Sequence, residues 1–154
     1  MTEVWFYHLE GRPVETVLPV LVEKSIVRGW RAVVQTRSAE RVEALDLALW
    51  TYDEASFLAH GTKRDGNAVM QPVYLTDDDA NPNGAAIRFF VEGAEVEPAL
   101  KSPGADYARA VLIFDGRDEE ELEGARRQWS ALKGAGHAVS YWQQSEDGRW
   151  TKRA

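Results

Sequence analysis

Glu3-Val4-Trp5-Phe6-Tyr7-His8-Leu9, the turn Gly11-Arg12-Pro13 and the run Arg31-Ala32-Val33-Val34-Gln35-Thr36 together decide the fold. The first stretch alternates aromatic and polar residues and reads as a strand. Pro13 suits the first position of a helix. Val17, Leu18, Leu21, Val22 and Ile26 then recur at helical spacing between Val14 and Arg28. Pro19 falls inside that helix and is expected to kink or offset it. Gly29 ends it, and the apolar run from Arg31 reads as a second, largely buried strand. Ser38 is a good N-cap for a second helix, whose inner face carries Val42, Leu45, Ala48 and Leu49. The order β-α-β-α argues for a mostly parallel sheet flanked by helices.

The same reading continues along the chain. Thr51 to Gly66 is irregular, with a short helix expected over Asp53–Leu58. Val73-Tyr74-Leu75 and Ala86 to Val91 are strands, separated by the turn-rich Asp77-Asp78-Asp79-Ala80-Asn81-Pro82-Asn83-Gly84. Glu92 to Gly104 reads as a polar connection. Ala110-Val111-Leu112-Ile113-Phe114 is the most apolar strand and is expected at the sheet centre. Asp118 is the N-cap of a last long helix, and Glu119, Glu120 and Glu121 suit its positive dipole end. Its apolar stripe is Leu122, Ala125, Trp129 and Leu132. Ala138 to Trp142 is a strand, Asp147-Gly148 is a hairpin signal, and Arg149 to Lys152 is an edge strand. At 154 residues, with no repeat or linker, residues 1–154 form one domain.

Composition removes several functional classes. The chain has no cysteine, so a disulfide scaffold, a thiolate metal site and a cysteine nucleophile are excluded. His8, His60 and His137 lack a second histidine at ligand spacing, and no metal site is expected. Asp77-Asp78-Asp79 lacks the alternate spacing of a calcium loop. Gly61-Thr62-Lys63-Arg64-Asp65-Gly66 has the glycine spacing of a phosphate loop, but Asn67-Ala68 stands where Lys and Ser or Thr are required. No Gly-x-Gly-x-x-Gly follows the first strand, so the fold is Rossmann-like without a nucleotide site, and no cofactor is expected. Nothing pairs a nucleophile with a base. No signal peptide or membrane span is evident, and a cytoplasmic location is expected.

The net charge of −7 argues against tight direct binding of DNA. The charge is uneven, however. From Ala125 to Ala154 there are six cations (Arg126, Arg127, Lys133, Arg149, Lys152, Arg153) and two anions (Glu146, Asp147). This basic end is a candidate site for something anionic, and direct nucleic-acid binding there is the alternative reading. Against it, no stacking platform is evident on strand positions. Two constellations stand out. Arg126, Trp129 and Lys133 are spaced three and four apart and share one helix face. A cation beside an indole suits a carboxylate attached to an apolar group, although Trp129 also fits the core stripe. The second is Leu49-Trp50-Thr51-Tyr52 with Phe57-Leu58, large apolar residues at a helix end that fit a protein interface.

A set of short stretches, in order, carries a resemblance over nearly the whole chain. They are Val4-Trp5-Phe6-Tyr7-His8-Leu9, Arg28-Gly29-Trp30-Arg31, Leu49-Trp50-Thr51-Tyr52, Ser56-Phe57-Leu58-Ala59-His60-Gly61, Asn81-Pro82-Asn83-Gly84-Ala85, Val111-Leu112-Ile113-Phe114-Asp115, Ala125-Arg126-Arg127-Gln128-Trp129 and Gly136 through Gln144. In these the sequence resembles the chi subunits of the bacterial DNA polymerase III holoenzyme. The resemblance implies a non-catalytic accessory subunit with two partners. One is the psi subunit of the clamp loader. The other is the acidic, Phe-ending C-terminal tail of single-stranded DNA-binding protein. It places the tail on Arg126 and Trp129. Ser130 stands where relatives carry Lys, and Lys133, one turn from Trp129, substitutes. It places psi on Trp50 and Phe57.

Overall fold

The computed structural model describes residues 2–51 and 60–154, with the side chains of Trp50, Thr51 and Arg64 outside the description. Eight strands form one sheet in the order β3-β4-β2-β5-β6-β1-β7-β8. They are β1 (Glu3–Leu9), β2 (Ala32–Gln35), β3 (Gly61–Thr62), β4 (Val73–Thr76), β5 (Ile87–Val91), β6 (Arg109–Asp115), β7 (Ala138–Gln144) and β8 (Trp150–Lys152). Every pairing is parallel except that of β7 with β8. The apolar strand β6 lies inside the sheet between β5 and β1, as its composition requires. The α-helices among the described residues are α1 (Val14–Val27), α2 (Ala39–Thr51), α3 (Val96–Lys101) and α4 (Glu119–Gly134).

Alternation along the strands splits the core into two layers. Leu9, Phe89, Val111 and Ile113 face α1 and α2 and meet Leu18, Val22, Leu45 and Leu49. Val4, Phe6, Phe90, Leu112 and Phe114 face the opposite side and meet Val96, Ala99, Ala125 and Leu132 of α3 and α4. The chain is thus wound on both faces of the sheet. The helix after β1 covers one face and the helix after β6 the other, and β1 and β6 are neighbours. Their carboxyl ends therefore form the topological switch point where such folds bind ligands. Close contacts surround the glycines of that junction. The Gly116 N–H donates to Leu9 O at 2.8 Å, and a Cβ at Gly116 would lie 1.7 Å from His8 Nε2. The Arg117 guanidinium lies 3.2 Å from where a Gly11 Cβ would stand.

Several segments take a form that local pattern leaves open. Pro19 sits in the second turn of α1 and is buried, and one helix continues through it. A proline there removes a single hydrogen bond near an end whose groups are already unpaired. β3 was hidden in a segment expected to be irregular, because two residues carry no periodicity. The helix expected over Asp53–Leu58 lies outside the described residues. α3 occupies part of the expected polar connection. Pro98 is its third residue, a position that needs no amide donor. Its start is held from outside: the Val96 N–H donates to Gln128 Oε1 at 2.9 Å, and Gln128 Nε2 donates to Ala94 O at 3.2 Å. Asn81-Pro82-Asn83-Gly84-Ala85 is a structural clamp. Asn83 Nδ2 donates to Ala32 O and Gln71 O at 3.1 and 2.9 Å, and Asn81 Oδ1 accepts from the Ala85 N–H at 2.9 Å.

Tyr7, Tyr74, Tyr107 and Tyr141 all have raised phenol pKa values, with burial the largest cause in each case. A phenol that ionises less readily when folded than when unfolded contributes stability below the ordinary value of 10.0 and loses it as pH rises above. Alkaline titration is therefore expected to unfold the protein in step with most phenolate formation. Ultraviolet phenolate absorbance and circular dichroism followed together should show coincident transitions. Phenolate forming fully before any loss of secondary structure would contradict this.

Candidate functional site

Asp118 starts α4 by accepting hydrogen bonds from the Glu120 and Glu121 N–H groups at 3.0 and 3.2 Å. The helix then buries Ala125, Gln128 and Leu132 and leaves Arg126 and Lys133 exposed. Trp129 falls between the two environments and is half-buried. One edge packs on Phe6, with ring centroids 5.2 Å apart at 81°, and it meets Tyr141 of β7 at 5.8 Å and 79°. Trp129 therefore serves both the core and the surface. Tyr141 is fixed in turn: its hydroxyl lies 2.5 Å from His8 Nδ1, and His8 Nε2 lies 2.5 Å from Glu10 Oε1.

A cleft of about 510 Å³ opens beside this cluster. Phe114, Leu122, Trp129 and Tyr141 form its apolar lining, and Arg126 and Arg153 are its two cations. Arg153 arrives from the far end of the sequence. The Arg153 N–H donates to Tyr141 O at 2.7 Å, which carries the chain past β8 along β7. Strand alternation then puts residue 153 on the same face as Tyr141. Neither Arg126 nor Arg153 has a carboxylate partner among the described residues. Arg127 differs: it pairs with Glu95 at 2.6 Å, and that hydrogen bond raises its pKa. Tyr141 is also within reach of the Arg126 charge. Burial raises the phenol pKa, Arg126 opposes the rise, and Glu10 adds to it.

The structure thus brings Arg126 and Trp129 into one cleft. Lys133 lies outside that lining, with its Nζ 5.9 Å from the Trp129 ring centroid. Arg153, Tyr141 and Phe114 are cleft residues that sequence spacing did not single out, although Arg153 belongs to the basic end noted there. A second cleft, of about 810 Å³, shares Arg126 but is bordered by Glu92, Glu95, Asp118, Glu120, Glu121 and Glu123. An acidic ligand would be repelled from that side and held on the Trp129 side. Trp50 is the last residue but one of α2. Its side chain, and the whole of Phe57, lie outside the described residues.

A doubly wound α/β domain with an aromatic, cation-rimmed cleft at the β7 end of its sheet defines the class. The family model described as "DNA polymerase III chi subunit, HolC" matches residues 1–140, and the chain belongs to that family. The family's place is that of an accessory subunit of the replicative polymerase. The chain is also similar to the probable DNA polymerase III subunit chi of Rickettsia prowazekii (strain Madrid E). The two are 26% identical over 156 residues, which cover 100% of this chain and 93% of that relative.

Proposed function

We propose that this protein is a non-catalytic adaptor. It links the clamp loader, through psi, to the acidic C-terminal tail of single-stranded DNA-binding protein. The observation that carries the reading is the cleft at Arg126 and Trp129. An apolar wall beside two unpaired guanidinium groups matches a peptide end bearing both an aromatic ring and carboxylates. In this reading Arg126 binds the tail carboxylates and Trp129, with Tyr141 and Phe114, walls the pocket for the terminal Phe. Arg153 supplies the second cation on the cleft rim, and Lys133 adds charge one turn away. Trp50 and Phe57 are assigned to the psi surface, and buried aromatic anchors commonly dominate such interfaces.

The test is titration with a labelled peptide copying the acidic tail of the host's single-stranded DNA-binding protein, beside a copy lacking its terminal Phe. Saturable, salt-sensitive binding that disappears without the Phe is expected. Equal binding of both peptides would overturn the pocket assignment. The two-site arrangement has its own test. In pull-downs, Trp50→Ala or Phe57→Ala should lose psi and keep the tail, and Arg126→Ala should do the reverse. Either variant losing both partners while keeping its secondary structure would refute two separate sites.

A further inference from the structure

The face opposite the Trp129 cleft carries a second, unrelated arrangement. Six side chains form an unbroken line of contacts across it. The Arg28 guanidinium lies 4.4 Å from the Trp30 ring centroid, and the Arg109 guanidinium lies 5.4 Å from the same ring. Arg109 also lies over Trp5 at 3.6 Å. Trp5 stacks on Trp142 with centroids 5.4 Å apart and planes at 30°, and Lys152 Nζ lies 6.0 Å from the Trp142 ring. Cations and indoles therefore interleave from the end of α1, across β6 and β1, to β7 and β8.

Two features separate this line from ordinary core packing. First, Arg28, Arg109 and Lys152 have no carboxylate partner among the described residues, and neither does Lys24 beside them. Glu3 is the carboxylate closest in charge effect to Arg109, and it forms no ion pair with it. Arg109 is instead half-buried with its Nε unpaired, beside a cleft of about 180 Å³ that Lys24, Arg28, Trp30 and Tyr7 also line. Burial, followed by the Arg28 charge, lowers the Arg109 pKa. Three cations kept together without an anion lack the counter-charge that would offset their repulsion. Second, no described helix follows β7, so the indoles of Trp5 and Trp142 remain half-exposed on an uncovered stretch of sheet.

We infer that this face binds single-stranded nucleic acid, with bases on the Trp5, Trp30 and Trp142 rings and phosphates on Arg28, Arg109, Lys24 and Lys152. Interleaved aromatic rings and cations are what single strands require, since every base has a stacking face and every nucleotide a phosphate. An acidic peptide would use the cations but give the exposed parts of the indoles nothing to stack on. The net charge of −7 limits the affinity but does not prevent contact, because charges beyond about 8 Å are screened at physiological salt. The inference does not depend on the tail-binding cleft, which lies on the other face. In an accessory subunit of a replicative polymerase, such a face would touch the exposed strand directly.

The experiment is fluorescence titration of the full chain with an oligothymidylate of ~15 nucleotides at ~20 mM salt, where screening is weak. Saturable quenching of tryptophan emission is expected. With four phosphates neutralised, affinity should fall about 50-fold between ~50 and ~200 mM salt. The double variant Arg28→Ala/Lys152→Ala removes two exposed cations without touching the core and should weaken binding at least ~10-fold. Trp142→Ala, checked for intact circular dichroism, should do likewise, and an abasic strand of equal length should bind at least ~10-fold more weakly. Arg126→Ala should bind as the parent does. No saturable binding at low salt would overturn the inference. So would parental affinity in the double variant, equal binding of the abasic strand or of polyglutamate, or loss of binding in Arg126→Ala.

Discussion

Arg88→Ala is expected to destabilise the protein by about 3–5 kcal/mol, because it leaves a cavity and several buried acceptors unpaired. Arg88 is fully buried in β5, on the α3 and α4 side of the sheet. Its guanidinium has no carboxylate partner among the described residues. Nε and one terminal nitrogen donate to Gln35 Oε1 at 3.0 and 2.6 Å, and the other terminal nitrogen donates to Tyr107 Oη at 2.9 Å. Two further bonds reach the carbonyls of Asp78 and Ala80 at 2.5 and 2.7 Å. Neutral acceptors from β2, the acidic loop and the segment before β6 thus replace the hydration shell. Alanine would leave those acceptors unpaired, at about 1–3 kcal/mol for a buried group, and leave a cavity as well. Against a total stability of about 5–15 kcal/mol the loss is large. Urea unfolding should show a lower midpoint with an unchanged slope. A loss below about 1 kcal/mol would show that the network contributes little.

The second large effect concerns the proposed tail site. Arg126→Ala is expected to weaken tail binding by about 10- to 150-fold, the equivalent of ~1.5–3 kcal/mol for a charge-assisted hydrogen bond. Arg126 has no ion pair among the described residues to compete with the ligand, so its charge is available. Arg127 is its internal control. It is adjacent in sequence and also exposed, but held by Glu95 at 2.6 Å. Arg127→Ala should change affinity less than about twofold, within the range of a surface pair. Equal loss in both variants would mean that general charge, and not the cleft, binds the tail. Trp129→Leu keeps an apolar side chain against Phe6 but removes the pocket wall. It should cost at least ~2 kcal/mol of binding, as hot-spot aromatics do. Arg153→Ala, on the rim, should cost only a few-fold.

Much of this molecule follows from short-range rules. The β-α-β-α order, the Asp118 cap, the interior position of β6 and the shared helix face of Arg126 and Trp129 depend on periodicity and capping. These are local properties that neighbouring residues carry themselves. The Rossmann-like, mostly parallel sheet was legible in the same local patterns, whereas the close approach of His8 to Gly116 was not. The rest depends on register, which no local pattern encodes. α3 exists because Gln128, on a helix further along, satisfies its first amide. Arg153 enters the cleft because the chain leaves β8 alongside Tyr141. Aromatic residues at 5, 30 and 142 become one platform only when β1 pairs in parallel with β7 and β6 brings Arg109 between two of the rings. Local preference chose the elements. Pairing between distant strands, driven by burial of both sheet faces, chose which side chains meet.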